Sequence, residues 1–505
     1  MSESRELPKG WVWTTLGMAT IVNPRPNLQR IPADTAVSFV PMAAVEAGSG
    51  RIDPSEQRSL AAVRKGYTSF LEGDVIFAKI TPCMENGKTA VAKGLVGGIG
   101  FGSTEFHVLR PNEGVNAEFL YYYIAQEQFR QDARARMTGT AGQLRVPTSF
   151  MAEAAFPLPP LAEQRRIVAA TEEQFTRLDA GVAALKSARA RLKQYRAAVL
   201  KAAVEGELTK AWREAHPDTE PASELLARIL AERQPPKGGK SVEPTSRDNS
   251  QLPALPHRWL WVTLGQIGEI GTGATPLRSR KDYYDGGTIP WITSGALNEE
   301  TITHAEELIT RLALRETNAK LFPKGTILVA MYGEGKTRGK AAVLEIEAAT
   351  NQACAAIVMG DPATSMRQYT MLFLLSNYYE IRRFSAGGVQ PNLNLSIIKN
   401  TLLPLPPLME QEQVVAEAER RLSVLSALEM SVEVGLKRAE RLRQSILTEA
   451  FSGRLVPQDF DDEPASALLA KVARSKQSKP SQMSLVGVTT AGTAPGKARA
   501  RRGRS

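Results

Sequence analysis

The run Gly333-Glu-Gly-Lys-Thr337 is the segment of this sequence that comes nearest to a motif for phosphate chemistry. A phosphate-binding loop needs a further glycine five positions before its Gly-Lys pair, and a helix whose N-terminal amides hold the phosphate must follow it. Alanine stands at position 330 instead, and residues 338–345 predict a turn and a strand. The sequence therefore disfavours nucleotide binding, and a glycine-rich hairpin carrying lysine and arginine is the better interpretation.

Other catalytic and metal-binding patterns are also missing from the sequence. The Gly-x-Ser-x-Gly elbow, His-Glu-x-x-His, the dinucleotide fingerprint and the Asn-Pro-Pro-aromatic tetrapeptide of adenine methyltransferases do not occur. Metal-ligand spacing is lacking among the histidines and cysteines, which are His107, His216, His257, His304, Cys83 and Cys354. We therefore expect no metal and no cofactor in this chain, and we favour a binding protein over an enzyme.

Length and charge limit the number of domains and the classes of partner that this chain can have. At 505 residues with 43% hydrophobic content, the chain is long enough for more than one folded domain. It has no apolar run of the roughly 20 residues that span a bilayer and no signal-peptide pattern, so we expect a cytoplasmic protein without membrane contact. The net charge of +10 suggests a nucleic-acid partner, but nine basic residues and no acidic ones lie in residues 471–505. A claim of DNA binding must therefore rest on local features.

The chain repeats itself at offsets of 243 to 248 residues. The clearest pair is Leu7-Pro-Lys-Gly-Trp-Val-Trp-Thr-Thr-Leu-Gly17 and Leu255-Pro-His-Arg-Trp-Leu-Trp-Val-Thr-Leu-Gly265. Three further pairs follow in the same order: 156–164 with 403–411, 204–208 with 451–455, and 220–226 with 463–469. Matches in one order indicate a tandem duplication of a unit of about 250 residues.

Each copy begins with a globular part and continues into a long helix. The first part has short β-like runs such as 74–79 and 326–331 between glycines, with helical patches at 117–135 and 367–384. This mixture predicts a compact α+β domain with a strongly bent sheet.

The second part of each copy is a proline-free stretch with apolar residues at every seventh position. The two series are Leu178, Leu185, Leu192, Val199 and Leu425, Val432, Ala439, Ile446. Sustained heptads predict coiled-coil packing, and a long connection lets two equal helices pair as an antiparallel coiled coil. The alternative is that each seam packs on its own globular domain or on another chain.

These patterns give an α+β fold with two tandem globular domains, each followed by a long helix. The predicted ranges are domain 1–157, helix 158–213, linker 214–254, domain 255–404, helix 405–456 and a basic tail 457–505 that we expect to be disordered.

Several of these segments resemble the specificity subunit of type I restriction-modification systems. The resemblance rests on the Trp-x-Trp-x-x-Leu-Gly domain starts, the Pro-Leu-Pro-Pro-Leu-x-Glu-Gln helix starts and the helix ends at 200–208 and 447–455. Segments 79–88 and 273–276 add to it, and it covers about residues 7–470. It implies two target-recognition domains, each reading half of an asymmetric split site in double-stranded DNA, with the paired helices as spacer and docking site.

The same resemblance implies that catalysis belongs to partner chains. Two modification (methyltransferase) subunits are expected to join, S-adenosylmethionine, ATP and magnesium would be bound by partner subunits, and the sequence leaves open whether two restriction (helicase-nuclease) subunits join. For docking, the repeated helix starts give Leu161, Glu163, Gln164, Leu408, Glu410 and Gln411.

Polar residues in glycine-containing loops are the candidate DNA contacts, because such side chains reach phosphates and base edges. In the first domain they are Lys79, Thr81, Asn86, Lys88, Ser103, Thr104, Thr138, Thr140, Gln143 and Arg145. In the second they are Thr275, Arg278, Arg280, Lys281, Tyr332, Lys336, Arg338, Lys340, Asn351, Gln352, Ser385 and Gln390. Each of them is also compatible with an ordinary solvated loop residue.

Three other functions remain compatible with the sequence: a coiled-coil tether with two modules for other ligands, a stand-alone DNA-binding protein such as a repressor, and an enzyme without a recognised motif. Sequence-selective DNA binding with and without methyltransferase subunits distinguishes them.

Overall fold

The structure is a computed structural model that describes residues 6–140, 142–232, 252–332, 337–360, 364–383 and 393–478. Residues 233–251 of the predicted linker and 479–505 of the predicted tail, together with Lys336, Ser385 and Gln390, lie outside the described residues. The chain divides into two compact units, and each combines two stretches of sequence. Unit 1 is Met1–Ala184 with Gly435–Ser505, and unit 2 is Leu185–Val434.

Short strands with five short helices build the globular domain of unit 1. The strands are β1 Val12–Thr15, β2 Thr20–Val22, β3 Ala36–Val40, β4 Gln57–Ser59, β5 Thr68–Leu71, β6 Val75–Ala78, β7 Thr89–Val91, β8 Ile99–Gly102, β9 Phe106–Pro111 and β10 Ala155–Leu158. The helices are α1 Leu16–Ala19, α2 Leu60–Val63, α3 Ala117–Ile124, α4 Glu127–Ala135 and α5 Thr148–Glu153.

The strands of this domain form two four-stranded sheets and a two-stranded ribbon, whereas the sequence predicted one bent sheet. The orders are β2-β9-β6-β7, β4-β3-β8-β5 and β1-β10. Strand β8 has glycine at position 100, where a β-carbon would lie 2.2 Å from the Phe70 ring. Glycine is needed there because the buried Phe70 side chain fills that place in the core.

Three helices lead to the second domain, which has its own strands and helices. The former are α6 Leu161–Val204, α7 Lys210–Ala215 and α8 Ala222–Glu232. The strands are β11 Leu260–Thr263, β12 Glu269–Thr272, β13 Ile289–Ile292, β14 Thr301–Ile302, β15 Glu307–Ile309, β16 Leu321–Phe322, β17 Ile327–Ala330, β18 Ala341–Leu344, β19 Ala348–Thr350, β20 Cys354–Val358 and β21 Leu402–Leu405. The helices are α9 Leu264–Ile267, α10 Arg311–Glu316, α11 Thr364–Ser376, α12 Tyr378–Arg383 and α13 Leu395–Lys399.

The second domain repeats the topology of the first. Its sheets have the orders β12-β20-β17-β18-β14, β15-β13-β19-β16 and β11-β21, so β14 is an addition at one edge. The parallel pair β3·β8 corresponds to β13·β19, and both are flanked by antiparallel neighbours. The duplication in the sequence is therefore a duplication of the strand pairing.

Two helices of 44 residues each follow the domains, and the second is α14 Leu408–Phe451. Each is followed by a glycine with positive φ, Gly206 at 76° and Gly453 at 72°, as expected for a helix C-terminus. A last helix, α15 Ala465–Ser478, follows α14. Among the described helices, none combines the length and apolar character needed to cross a membrane.

Within unit 1, the first part of α6 lies beside the last part of α14. Phe175 packs on Ile446 and Leu447, and the Arg443 guanidinium lies 4.2 Å from the centre of the Phe175 ring. Arg443 also forms an ion pair with Asp179. Residue numbers rise along α6 as they fall along α14, so these two segments run in opposite directions.

Within unit 2, the last part of α6 contacts the first part of α14 in the same sense. Arg189 pairs with Glu433 at 3.1 Å and Arg196 with Glu429 at 2.9 Å. Of the predicted heptad positions, those buried are Val199, Leu425, Val432, Ala439 and Ile446, and those half-buried are Leu178, Leu185 and Leu192. The seven-residue pattern thus marks the less exposed side of both helices.

Candidate nucleic-acid interface

In unit 1 the structure brings three predicted loops together: loop A (79–88), loop B (103–105) and loop C (138–146). Main-chain hydrogen bonds join them, from Lys79 to the Glu105 carbonyl at 2.9 Å and from Thr81 to the Leu144 carbonyl at 3.1 Å. Val146 closes the set by donating to the Lys79 carbonyl at 2.8 Å. Residues that are up to 67 positions apart in the sequence therefore form one polar surface.

Arg145 and Glu105 clasp loop C to loop B. The Arg145 guanidinium donates to both carboxylate oxygens of Glu105, at distances of 2.9–3.2 Å. This hydrogen-bonded pairing lowers the pKa of Glu105 below its usual value. Arg145, predicted as a base-reading residue, is thus paired with Glu105 and links loop C to loop B, while its side chain remains 40% exposed.

The remaining candidates of unit 1 differ in exposure. The exposed ones are Asn86, Thr104, Thr138, Thr140 and Gln143, and the half-buried ones are Lys79, Thr81, Lys88 and Ser103. The Lys88 ammonium donates to the carbonyls of Met42 and Val45 at 2.7 and 3.0 Å, so it supports a neighbouring loop. Gln143 stands at the exposed end of loop C, where an amide can accept and donate hydrogen bonds at a base edge.

In unit 2 two predicted arginines are paired with acids and stacked on aromatic rings. Arg278 pairs with Glu307 and lies 4.9 Å from the Tyr284 ring and 5.0 Å from the Trp291 ring. Arg280 pairs with Asp282 and Glu316 and lies 4.2 Å from the Tyr283 ring. This surface offers stacked guanidinium planes, which suit contact with a nucleic acid better than isolated point charges do.

The other described candidates of unit 2 are spread over neighbouring loops. Thr275 donates to Gln352, the Asn351 side chain accepts from the Ala353 amide at 3.1 Å, and Lys340 donates to Asn298 at 2.9 Å. Tyr332 and Lys281 are exposed, and Arg338 is half-buried with its carbonyl bonded to Arg382.

The predicted docking residues at the helix starts are buried within their own units. Leu161 and Leu408 are half-buried, and the exposed fraction is 0–1% for Glu163, Gln164, Glu410 and Gln411. Gln164 bonds the Gly114 and Pro159 carbonyls and the Asn116 amide. All four polar groups are therefore buried within the chain, and Gln164 holds the domain on its helix, so a docking role for them stays a prediction that requires the unit to open.

Sequence reasoning missed His107, which lies behind loop C. It is 3% exposed, its Nε2 lies 2.8 Å from the Val146 carbonyl, and its Nδ1 lies 3.2 Å from the Asn23 amide nitrogen. In the sequence it stood out only as one of four histidines without metal-ligand spacing. Within the described part of the chain, no group of three or more His, Cys, Asp or Glu residues is arranged to hold a metal ion.

The family comparison matches both domains. The model of the type I restriction modification DNA specificity domain matches residues 34–185 and 256–422, which is more than half of the chain. The chain belongs to the family of type I restriction-modification specificity subunits. Its relatives by name are specificity subunits, the non-catalytic members of type I enzyme complexes.

Two curated specificity subunits from Escherichia coli show the extent of the match. The EcoEI subunit is 34% identical over 52% of this chain and 51% of its own length, so the chain spans about half of that relative. The EcoAI subunit is 27% identical over 88% of this chain and 83% of its own.

Two solved structures share the fold of this chain. A chain from a study of complex assembly and conformational transition of the type I R-M system has a TM-score of 0.63 at 24% identity, covering 89% of this chain and 99% of that chain. The HsdS subunit from Thermoanaerobacter tengcongensis has a TM-score of 0.51 at 23% identity, covering 90% and 100%.

The two specificity domains use equivalent main-chain bonds with unlike side chains. Lys79 donates to the Glu105 carbonyl at 2.9 Å, and at the same place in the second domain Met331 donates to the Ala353 carbonyl at 2.7 Å. The strand pairing likewise places Ala355 where the first domain has His107. The frame is conserved between the units, and the polar side chains that it carries are not.

Proposed function

We propose that this chain is the DNA-binding specificity subunit of a type I complex and that its two domains read the unlike halves of an asymmetric DNA site. The proposal rests on two equivalent main-chain bonds that carry unlike side chains. Lys79 and Glu105 form this bond in the first domain, and Met331 and Ala353 form it in the second. Equal frames with unlike side chains present different donors and acceptors to base edges. Two identical domains related by a twofold axis would read a palindrome.

We further propose that α6 and α14 pair as an antiparallel coiled coil that separates the half-sites. Opposite chain directions in the contacts of Asp179 with Arg443 and of Arg196 with Glu429 support this pairing. Equal helix lengths and a buried seven-residue series on α14 support it as well. The spacer is tested by adding four residues to each helix, after Leu185 and after Val432, with an apolar residue on the seam.

The insertion lengthens each helix by ~6 Å at ~1.5 Å per residue. Because a base pair advances the duplex by ~3.4 Å, the unread gap should grow by one or two base pairs while both half-sites stay the same. Single-molecule sequencing of methylated genomic DNA measures the gap. An active complex with its original gap would contradict the spacer.

The partners in this proposal are two modification subunits that dock on outward helix faces. Apolar side chains on α14 are available for such contacts, since Val424, Leu428 and Leu442 are about half exposed. S-adenosylmethionine, ATP and magnesium would then serve the partner subunits, and whether two restriction subunits join the same assembly is left open by the sequence. Native mass spectrometry of the co-expressed complex should give two modification subunits per chain, and a ratio of one with intact helices would contradict this stoichiometry.

Gel-shift and methylation assays on the co-expressed complex test the function itself. We expect sequence-selective binding by the complex and methylation of one asymmetric two-part sequence. A tether for other ligands would give no selective shift with or without partners, and a repressor would give full selectivity alone. Turnover by the chain without partners would indicate an enzyme instead.

A further inference from the structure

We infer that His107 is a positioning residue for the first half-site: by holding the Val146 carbonyl it fixes the neck of loop C and thereby the orientation of Gln143. This inference rests on the proposed DNA-reading function. It concerns a side chain that does not reach the DNA surface, because His107 is buried beneath the loop on strand β9.

The contacts of Asn23 settle which ring nitrogen carries the proton. The Asn23 side-chain oxygen accepts from the Val108 amide at 3.0 Å, so its amide nitrogen is the atom that faces His107 Nδ1 at 3.2 Å. Nδ1 must therefore accept, and Nε2 donates to the Val146 carbonyl at 2.8 Å. The neutral imidazole satisfies both neighbours, and the Asn23 amide cannot turn over without losing its bond to Val108.

Val146 transmits this constraint to loop C. Its amide donates to the Lys79 carbonyl at 2.8 Å while its carbonyl accepts from His107, so both of its polar groups are anchored. The next residue back, Arg145, exchanges two main-chain bonds with Thr138, at 2.8 and 3.0 Å. These two bonds close the loop whose tip is Gln143, so a shift at Val146 moves the whole loop.

Protonation of His107 would break this arrangement. An imidazolium would point a second N–H group at the Asn23 amide nitrogen, which is also a donor. The charged groups around the ring are Lys79 on loop A and Glu105 on loop B, and Glu105 is paired with Arg145 on loop C. Burial, helped by Lys79, lowers the pKa of His107 below its ordinary 6.5, so the neutral form holds at neutral pH.

Only one half of the DNA site should depend on this residue. Alanine occupies the equivalent position 355 in the second domain, where Ala355 pairs with Val329 in the same sheet position. A methyl group cannot hold a carbonyl by a hydrogen bond, so we expect discrimination in the second half-site to be independent of position 355.

The test uses the full chain co-expressed with its modification subunits, in two variants. His107→Phe keeps an aromatic ring but removes both hydrogen bonds, and His107→Gln keeps a donor and an acceptor without a titration near neutral pH. Exposed His304 in unit 2 provides the matched control, His304→Phe. For each complex we measure how strongly single-base changes in each half-site weaken DNA binding. The first half-site is defined as the one that stays unchanged when residues 255–404 are exchanged for those of another specificity subunit.

We expect His107→Phe to weaken discrimination in the first half-site about threefold to tenfold, which is the size of one or two lost net hydrogen bonds. The second half-site should not change, and His107→Gln and His304→Phe should stay within about twofold of the parent. The parent should also lose first-half discrimination as the pH falls below 6.5, whereas His107→Gln should not. Equal losses in both half-sites, or no loss, would overturn the positioning role.

Hydrogen exchange of the full chain at fixed pH gives a readout that does not need DNA. His107→Phe should speed exchange at the Thr138 and Arg145 amides and leave unit 2 unchanged. Asn23→Gly, which retains a residue able to adopt the φ of 53° found there, should do the same to a smaller extent. If the parent complex shows no sequence preference, the proposed function fails, while unchanged exchange in both variants would overturn the inference alone.

Discussion

The starts of α6 and α14 carry the same glutamate in different surroundings. Glu410 in unit 2 is fully buried and accepts from Trp259 at 2.8 Å, from Thr209 at 2.7 Å and from Arg213. Glu163 in unit 1 is equally buried and accepts from the Gln458 amide at 2.6 Å. Burial raises the pKa of Glu163, and among the described residues no cation bonds to it as Arg213 bonds to Glu410.

The difference arises after the helices, where the repeat has diverged. The 247-residue offset that aligns the helix starts places Phe460 opposite Arg213, and Phe460 is 74% exposed. A buried carboxylate with a cation and one without are both compatible with the same helix start. The repeated motif thus preserves the helix and its burial, while the polar partners changed in each copy, as they did in the loops.

Among the variants that test the two helix starts, Arg213→Leu should lower local stability the most. Removing one member of a buried ion pair leaves the other charge uncompensated, so the opening free energy at the start of α14 should fall by about 3 kcal/mol. Native-state hydrogen exchange at the first turns of α14 measures it. The matched variant Phe460→Ala should change the opening free energy at the start of α6 by less than ~0.5 kcal/mol. Equal losses of opening free energy in the two variants would show that Arg213 acts only through packing.

Gln143→Ala sharpens the comparison at the DNA surface. Because Gln143 is exposed at the tip of loop C, loss of a two-point base contact should cost ~1–3 kcal/mol in first-half discrimination only. Arg145→Ala should act by releasing loop C from Glu105, and the equivalent test of the second half is Gln390→Ala. Binding to duplexes with single-base changes measures this. Equal weakening at every base of both halves would make these residues phosphate contacts.

The smallest effect should come from Glu163→Gln, which should change the free energy of unfolding of unit 1 by no more than about 1 kcal/mol at pH 7. Since the folded-state pKa of Glu163 is above its ordinary 4.5, its contribution to stability is complete below pH 4.5 and is lost as the pH rises through the folded value. The difference in unit 1 stability between parent and variant should therefore shift in favour of the variant with rising pH. Urea unfolding across pH 4.5–7.5 checks it, and a difference independent of pH would contradict it.

Features encoded within one segment of the sequence are predicted better than contacts between residues that are distant in the sequence. The Trp-x-Trp starts locate the duplication, and the heptads locate the buried side of α14. Both patterns can be recognised because repeats and helical periodicity depend only on the order of residues within a segment. The partners of Arg145 and Glu163 lie 40 and 295 positions away. Such pairings depend on tertiary packing, so the sequence predicts outward contacts for Arg145 and the helix-start glutamates but not these internal partners.

The most direct test of two domains reading unlike half-sites is a chain in which residues 7–157 replace residues 255–404. Both units would then carry the loops of the first domain on helices that we propose to be antiparallel. Single-molecule sequencing of DNA methylated by the co-purified complex should show an inverted repeat of the first half-site. Methylation that stays at the original asymmetric sequence would contradict the account.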